Sequence, residues 1–220
     1  YFKNKQNFFF AAKGGFNAES HNHNDAGSFS LWVNEQPVII DAGVGTYTRQ
    51  TFGPERYSIW TMRSKYHNLP SINGSEQSFG RSYKVTNVKV DGKKRSLSMN
   101  LAQAYPSTAQ VQNWTRTYNL TDKELTISDK FNLLKALQPN EINFLLWGKV
   151  EVNDDRILIT LKNEHLELSF DKNQFTANVE TVSLTDSRLS NVWGKEVYRL
   201  TLTAKVLIEN GEYKFKIRKL

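Results

Sequence analysis

Apolar and polar residues alternate with a period of two through most of this chain. The alternation is clearest in "SFSLWVN" (28–34), "SYKVTNVKV" (82–90), "RILITL" (156–161), "HLELSF" (165–170), "YRLTLTAKVLI" (198–208) and "YKFKIRKL" (213–220). Successive side chains of a strand point to opposite faces, so this pattern, rich in Val, Ile, Thr and aromatics, predicts strands with one buried face. Between the runs stand Asn73-Gly74, Asp91-Gly92, Asn153-Asp154, Lys162-Asn163 and Asn210-Gly211. Several of these dipeptides reach positive φ readily and close tight hairpins, so local meanders are expected.

Helical periodicity is weak. Its best instance is "PERYSIWTMRSKY" (54–66), where Pro54 suits a first helical position and Tyr57, Trp60 and Ser64 would share a face; a loop with one helical turn suits the same residues. No repeat, low-complexity tract or linker divides the 220 residues, which suffice for one substantial core. The expected architecture is all-β: one multi-stranded antiparallel β-sandwich of two packed sheets over 1–220.

Composition removes some function classes. Hydrophobic residues at 39% and charged residues at 23% suit a globular protein, and no apolar run approaches the roughly 20 residues of a membrane helix. The lack of cysteine excludes disulfides and thiolate metal sites. The formal net charge of +7 is uneven, with 13 Lys/Arg against 7 Asp/Glu in residues 1–100 and 16 against 15 in the remainder. A basic first half suits an acidic partner, and it equally serves solubility.

The candidate chemistry starts in "ESHNHNDAGSF" (19–29), which holds two of the four histidines. In an extended segment residues two apart point the same way, so His21 and His23 are expected on one side and Asn22 and Asn24 on the other. The apolar run "PVIIDAGVGTY" (37–47) carries Asp41, and "SKYHNLPSING" (64–74) carries His67. Two imidazoles and a carboxylate from separate strands suit a borderline divalent ion, zinc above all, and make His23, Asp41 and His67 candidate ligands. The plainer alternative is that Asp41 caps a turn, His67 is a loop histidine and His21 and His23 are surface residues. His165 has no companion and reads as structural, and the five tryptophans are expected in the core, with only Trp60 open to a sugar.

The segment "FFFAAKGGFNAESHNHNDAGSFSLWVNEQPVIIDAGVGTYT", followed by "RYSIWTMRSKYHNLPSING", resembles the C-terminal sandwich of the heparinase II/III family of polysaccharide lyases. The shared elements run in order: a Gly-rich lead, H-x-H-x-D with an aromatic after it, an apolar strand ending D-x-G-x-x-x-Y, an aromatic-and-Arg segment, and Tyr-His-Asn before a hairpin. "RTYNLTDKELTISDKF" (116–131) and "FLLWG" (144–148) continue it more loosely.

The resemblance implies that His21 is catalytic and that His23, Asp41 and His67 hold a supporting zinc. It implies cleavage of a uronic-acid-containing acidic polysaccharide, heparin- or heparan-sulfate-like, by β-elimination. The chain would be the C-terminal part of a larger bacterial lyase, periplasmic or extracellular, whose N-terminal α/α-toroid lies outside this sequence and forms the other wall of the cleft. Partners would then be the polysaccharide and that helical domain, with neither nucleic acid nor a membrane span. Tyr47 and Tyr57 are local candidates for the acid or base, and Arg49, Arg56, Arg63 and Lys65 for contacts to carboxylates or sulfates. An alginate-type lyase and a non-catalytic carbohydrate-binding sandwich are the competing readings. A cupin-like metal site is disfavoured, because its H-x-H wants a Glu about four residues on and the next here is Glu35.

Overall fold

The computed structural model describes residues 1–220 as strands with little helix. The first part of the chain forms β1 (Phe2–Lys3), β2 (Phe8–Ala12), β3 (Phe16–Asn17), β4 (Phe29–Val33), β5 (Gln36–Ile39) and β6 (Pro70–Ser71). The middle forms β7 (Gly80–Lys84), β8 (Thr86–Asp91), β9 (Ser96–Asn100), β10 (Val111–Leu120), β11 (Glu124–Leu133) and β12 (Glu141–Leu146). The last third forms β13 (Lys149–Val152), β14 (Arg156–Thr160), β15 (His165–Ser169), β16 (Phe175–Ser183), the helix α1 (Ser187–Trp193), β17 (Glu196–Ala204) and β18 (Asn210–Lys219).

One sheet runs β1-β2-β4-β5-β12-β17-β16, with β6 also on β12; the other runs β13-β14-β15-β18-β11-β10-β9-β8, and β3 and β7 make a separate ribbon. The two large sheets pack as an antiparallel sandwich. Alternation explains the core: Trp114, Tyr118 and Leu120 of β10 and Leu125, Ile127 and Phe131 of β11 are buried while their neighbours face out. Aromatic pairs join the sheets, among them Phe10 with Tyr118 at 4.9 Å and Phe175 with Tyr213 at 4.7 Å between ring centroids.

Strand β12 departs from alternation because both of its faces are covered. Ile142, Phe144 and Leu146 enter the sandwich core, whereas Leu145 joins a second cluster with Ile40, Ala42, Leu184, Leu189 and Val197 on the other face. Its edge is shared, with β5 pairing at Leu146↔Ile39 and β6 at Glu141↔Ser71 and Ile142↔Pro70. The candidate site sits where β5 and β6 part.

Four expectations need correction. Residues 82–90 are two strands, because β7 pairs with β3 and β8 with β9 while Val85 between them is buried; alternation cannot report a change of partner. Asn210-Gly211 is no turn: Gly211 pairs with Phe131 inside the ladder, where a Cβ would stand 2.9 Å from the Phe131 ring. Residues 54–66 form three short 3-10 turns, Pro54–Ser58, Trp60–Met62 and Ser64–Tyr66, rather than one helix. Of the tryptophans only Trp114 is fully buried; Trp60, Trp147 and Trp193 are half-buried against the second cluster, and Trp32 is half-buried on β4. The one α-helix was not expected, although Asp186 caps its start by accepting the Arg188 N–H at 2.8 Å and Gly194 closes it at φ +86°.

Candidate active site and metal centre

Asp41 follows directly on the backbone pairing of Ile40 N–H with the Leu145 carbonyl at 2.9 Å, and His67 follows the turn Ser64–Tyr66. With His23 they form a cluster whose ligating atoms all lie within 4.8 Å of one another. His67 is buried, whereas the Asp41 side chain is 37% exposed. The His67 Nε2 is 3.1 Å from the Thr61 carbonyl, so it carries the hydrogen and donates it there. Nδ1 is then the atom that faces Asp41 Oδ2, at 3.3 Å, in ion-pair reach but without hydrogen-bond alignment to any partner.

Two nitrogens and a carboxylate oxygen around one point, with a buried nitrogen lacking a partner, fit a divalent metal ion. The electrostatics point the same way. Burial works against charge on His23, and the neighbouring His67 adds to this, so its pKa lies below 6.5 despite Asp41 and Asp25. Burial would raise the Asp41 pKa, but His67 outweighs it and holds the carboxyl well below the usual range. Burial likewise opposes charge on His67, yet Asp41 beside it keeps its pKa raised above 6.5. An anionic carboxylate thus draws positive charge to the gap between them.

Asn68 fixes that gap. Its Nδ2 donates to the Phe29 carbonyl at 2.6 Å and to the Ile40 carbonyl at 2.9 Å, and its Oδ1 accepts the Leu145 N–H at 2.8 Å. One amide therefore joins β4, the residue before Asp41, and β12, and it is adjacent to His67. Its own carbonyl accepts from Arg116 Nη1 at 2.7 Å, and Arg116 is held bidentately by Asp129 at 2.7 and 2.6 Å, both side chains fully buried. Gly43 supplies the other constraint: at φ +74° its N–H turns back to Asp41 Oδ1 at 2.8 Å.

The H-x-H segment is an irregular loop, so the two-residue rule does not apply to it. His21 lies in the left-handed region at φ +56° and is exposed, with its Nδ1 3.3 Å from the Tyr47 hydroxyl. His23 turns inward to His67, ring centroids 5.4 Å apart. Asn22 and Asn24, expected to face away, are buried and build the loop. Asn22 Nδ2 donates to the Tyr57 hydroxyl at 3.1 Å, and Asn24 Nδ2 donates to the Gln77 carbonyl at 3.2 Å. Asp25 is buried against Lys13 at 2.7 Å, outside the metal cluster.

The remaining candidates separate by what already binds them. Tyr57 stacks on Phe79 at 5.1 Å and receives Asn22. Arg56 grips the Asn22 carbonyl through Nε and Nη2 at 3.0 and 2.7 Å and the Thr51 carbonyl through Nη1 at 2.6 Å, so it clamps the loop. Arg63 is paired with Glu76, whose Oε2 also accepts the Lys65 N–H. Arg49 is exposed and free of ion pairs, and His165 stands exposed near Thr160, remote in sequence from the cluster. Sequence reasoning passed over Asn22, Asn24 and the role of Asn68, although each is a polar residue inside a motif. It gave no signal for Asp186, whose carboxylate accepts both the N–H and hydroxyl of Thr46, at 2.6 and 3.0 Å, beside Tyr47.

Solved structures of similar fold are large lyases of which this chain matches one part. A heparan sulfate lyase, HepC, from Pedobacter heparinus superposes with a TM-score of 0.75 at 15% identity, covering 98% of this chain and 33% of that one. A heparinase III, the BT4657 gene product, gives 0.71 at 16% identity over 100% of this chain and 36% of that one, and another heparinase III gives 0.66 at 18% over 91% and 30%. The chain thus spans about a third of the length of these structures. No curated protein sequence matches it. No helix is long and apolar enough to cross a membrane. The profile of the heparinase II/III-like C-terminal domain matches residues 2–213, and the chain belongs to that family of polysaccharide lyase domains.

Proposed function

We propose that this domain forms part of the active site of a lyase that cleaves uronic-acid-containing polysaccharide, heparin- or heparan-sulfate-like, by β-elimination. The observation that carries the reading is the His21–Tyr47 contact of 3.3 Å, on exposed ground two residues from the His23–Asp41–His67 cluster. Elimination removes the proton at C5, next to the carboxylate; the C4–O4 bond breaks as the C4=C5 bond forms, and the departing oxygen takes a proton. The imidazole can accept a proton and the phenol can donate one, so the two side chains offer an acceptor and a donor in contact.

His23, Asp41 and the His67 Nδ1 would hold the metal, which we assign as zinc from the donor set. Bound there, zinc supplies a structural cross-link rather than the reacting base. The chain's own residues do the rest: Arg56 and Asn22 hold the loop carrying His21, and Asp186 holds the loop carrying Tyr47. A heparan sulfate lyase among the similar structures supports the substrate class, and the one-third coverage supports a companion domain in the full-length protein; the reading takes that domain as helical and the protein as periplasmic or extracellular. The test is the full-length protein with heparan sulfate and with alginate, read as absorbance of the unsaturated product. Product from heparan sulfate is expected, and silence with every uronic-acid polymer would overturn the reading.

A further inference from the structure

One cation lies against the Tyr47 ring, Arg188, and it differs from the two arginines already engaged by the protein. Arg56 and Arg63 have protein acceptors, whereas Arg188 is exposed and its guanidinium has neither an ion pair nor a hydrogen bond. Arg188 comes from the first turn of α1, far along the chain, and its guanidinium carbon lies 5.3 Å from the centroid of the Tyr47 ring. The same ring stacks with Phe52, centroids 5.6 Å apart and planes 21° from parallel. Phe52 is 75% exposed, so the ring face turned away from Tyr47 is open to a ligand.

The arrangement is fixed from below. Asp186 caps the helix and binds Thr46, so one carboxylate sets both the loop bearing Tyr47 and the helix bearing Arg188. Gly45 permits the approach, since a Cβ there would stand 2.7 Å from Asp186 Oδ2. An exposed aromatic ring and an unpaired guanidinium, both set against the Tyr47 ring, match a pyranose that has an apolar C–H face and an anionic substituent.

We propose that Phe52, Tyr47 and Arg188 form a subsite for one uronate ring, with Phe52 packed on the sugar face and Arg188 paired to the carboxylate. The choice of a uronate rests on the lyase reading; the presence of an acidic-sugar subsite rests on these three side chains. The planar fork of Arg188 suits a planar carboxylate, and the subsite holds the glycan against the His21–Tyr47 pair.

The test titrates the chain, by NMR at low salt, with an unsulfated hexasaccharide of alternating glucuronate and N-acetylglucosamine and with its carboxyl-reduced form. Arg188→Gln and Phe52→Ala should each weaken binding of the intact probe about tenfold or more, the range for one charge-assisted contact or one stacked ring. Lys89→Gln, at an exposed lysine on β8 without a partner, should leave it unchanged. The wild type should bind the reduced probe weakly, and Arg188→Gln should not distinguish the two probes. Undiminished binding by Arg188→Gln, an equal loss in Lys89→Gln, absence of binding by the wild type, or a preference for the intact probe that survives Arg188→Gln would overturn the subsite. The two proposals fail separately. Arg188-dependent binding without unsaturated product from the full-length protein sinks the lyase reading, while product formation whose KM ignores Arg188→Gln sinks the subsite.

Discussion

His67 presents Nδ1 to Asp41 Oδ2 across 3.3 Å while its Nε2–H is donated to the Thr61 carbonyl at 3.1 Å. A lone pair and a carboxylate oxygen this close repel unless a positive charge lies between them. Either Nδ1 holds a proton or a metal ion takes its place. The carboxylate that raises the His67 pKa also attracts a cation that must displace the proton.

The sign of the pH dependence follows. Without metal, the folded-state pKa of His67 lies above 6.5, so its contribution to stability is fully present below 6.5 and is lost as pH rises through the raised value. His23, with its pKa lowered, acts in the opposite sense: its contribution is present above 6.5 and is lost as pH falls below 6.5 and through the lowered folded-state pKa. Metal binding needs both imidazoles neutral, so zinc affinity should rise by up to about tenfold per pH unit for each imidazole still protonated and level off above the His67 pKa. Asp41→Asn should weaken binding and move the plateau to lower pH. Competition with a chromophoric chelator between about pH 6 and pH 8 reads both effects, and an affinity indifferent to pH would rule out a proton on Nδ1.

Asn68→Ala should damage the metal centre without touching a ligand. It leaves the Phe29 and Ile40 carbonyls and the Leu145 N–H without their partner, all in the interior. At about 1–3 kcal/mol for each unsatisfied buried group, the loss is several kcal/mol. Because the same amide sets the spacing of Asp41 and His67, zinc affinity should fall as well, by roughly 10–100-fold as for other supporting residues behind ligands. Measuring both separates the roles: a lower melting temperature with unchanged zinc affinity would make Asn68 purely structural.

His23, Asp41 and His67 were legible because each chemical type occurs inside a short motif, and the fold brings the three motifs together. Their neighbours were harder to read. The left-handed φ of His21 breaks the periodicity that predicted its direction, and Asn22 and Asn24 turned inward because a loop, not a strand, carries them. Asp186 and Arg188 meet Tyr47 only through α1, a contact that no local pattern encodes. The sandwich was foreseeable from alternation, but β12 hides its outer role because covering both faces erases the period.

The Arg116–Asp129 pair sits opposite in register on β10 and β11, with both side chains at 0% exposure. Two charges taken out of water gain little net stability as a pair, but removing one strands the other. Arg116→Met alone should therefore cost about 3–5 kcal/mol, whereas Arg116→Met with Asp129→Leu should recover much of it. Since Arg116 also holds the Asn68 carbonyl, the double variant should regain stability but not full zinc affinity. Urea denaturation with a zinc titration checks this, and additive losses from the two single variants would mean that the pair is uncoupled.

The last expectation separates two histidines that are neighbours in sequence and differ in task. His23 belongs to the metal cluster, so His23→Ala should remove the ion, and with it several kcal/mol of the folding free energy that ligand binding supplies. His21 is exposed, its side chain hydrogen-bonds the Tyr47 hydroxyl and meets that ring, and it is no member of the metal cluster, so His21→Ala should leave metal content and melting temperature close to wild type. In the full-length protein, losing a positioned proton-transfer group should lower turnover roughly 10²–10⁴-fold. Tyr47→Phe should produce a loss of similar size, and the double variant should be little worse than either single one, because the two groups act as a unit. Metal analysis, thermal melting and the rate of unsaturated product formation on all four proteins decide the matter. Equal destabilisation by His21→Ala and His23→Ala would make His21 structural, and near-normal turnover in His21→Ala would remove it from the chemistry.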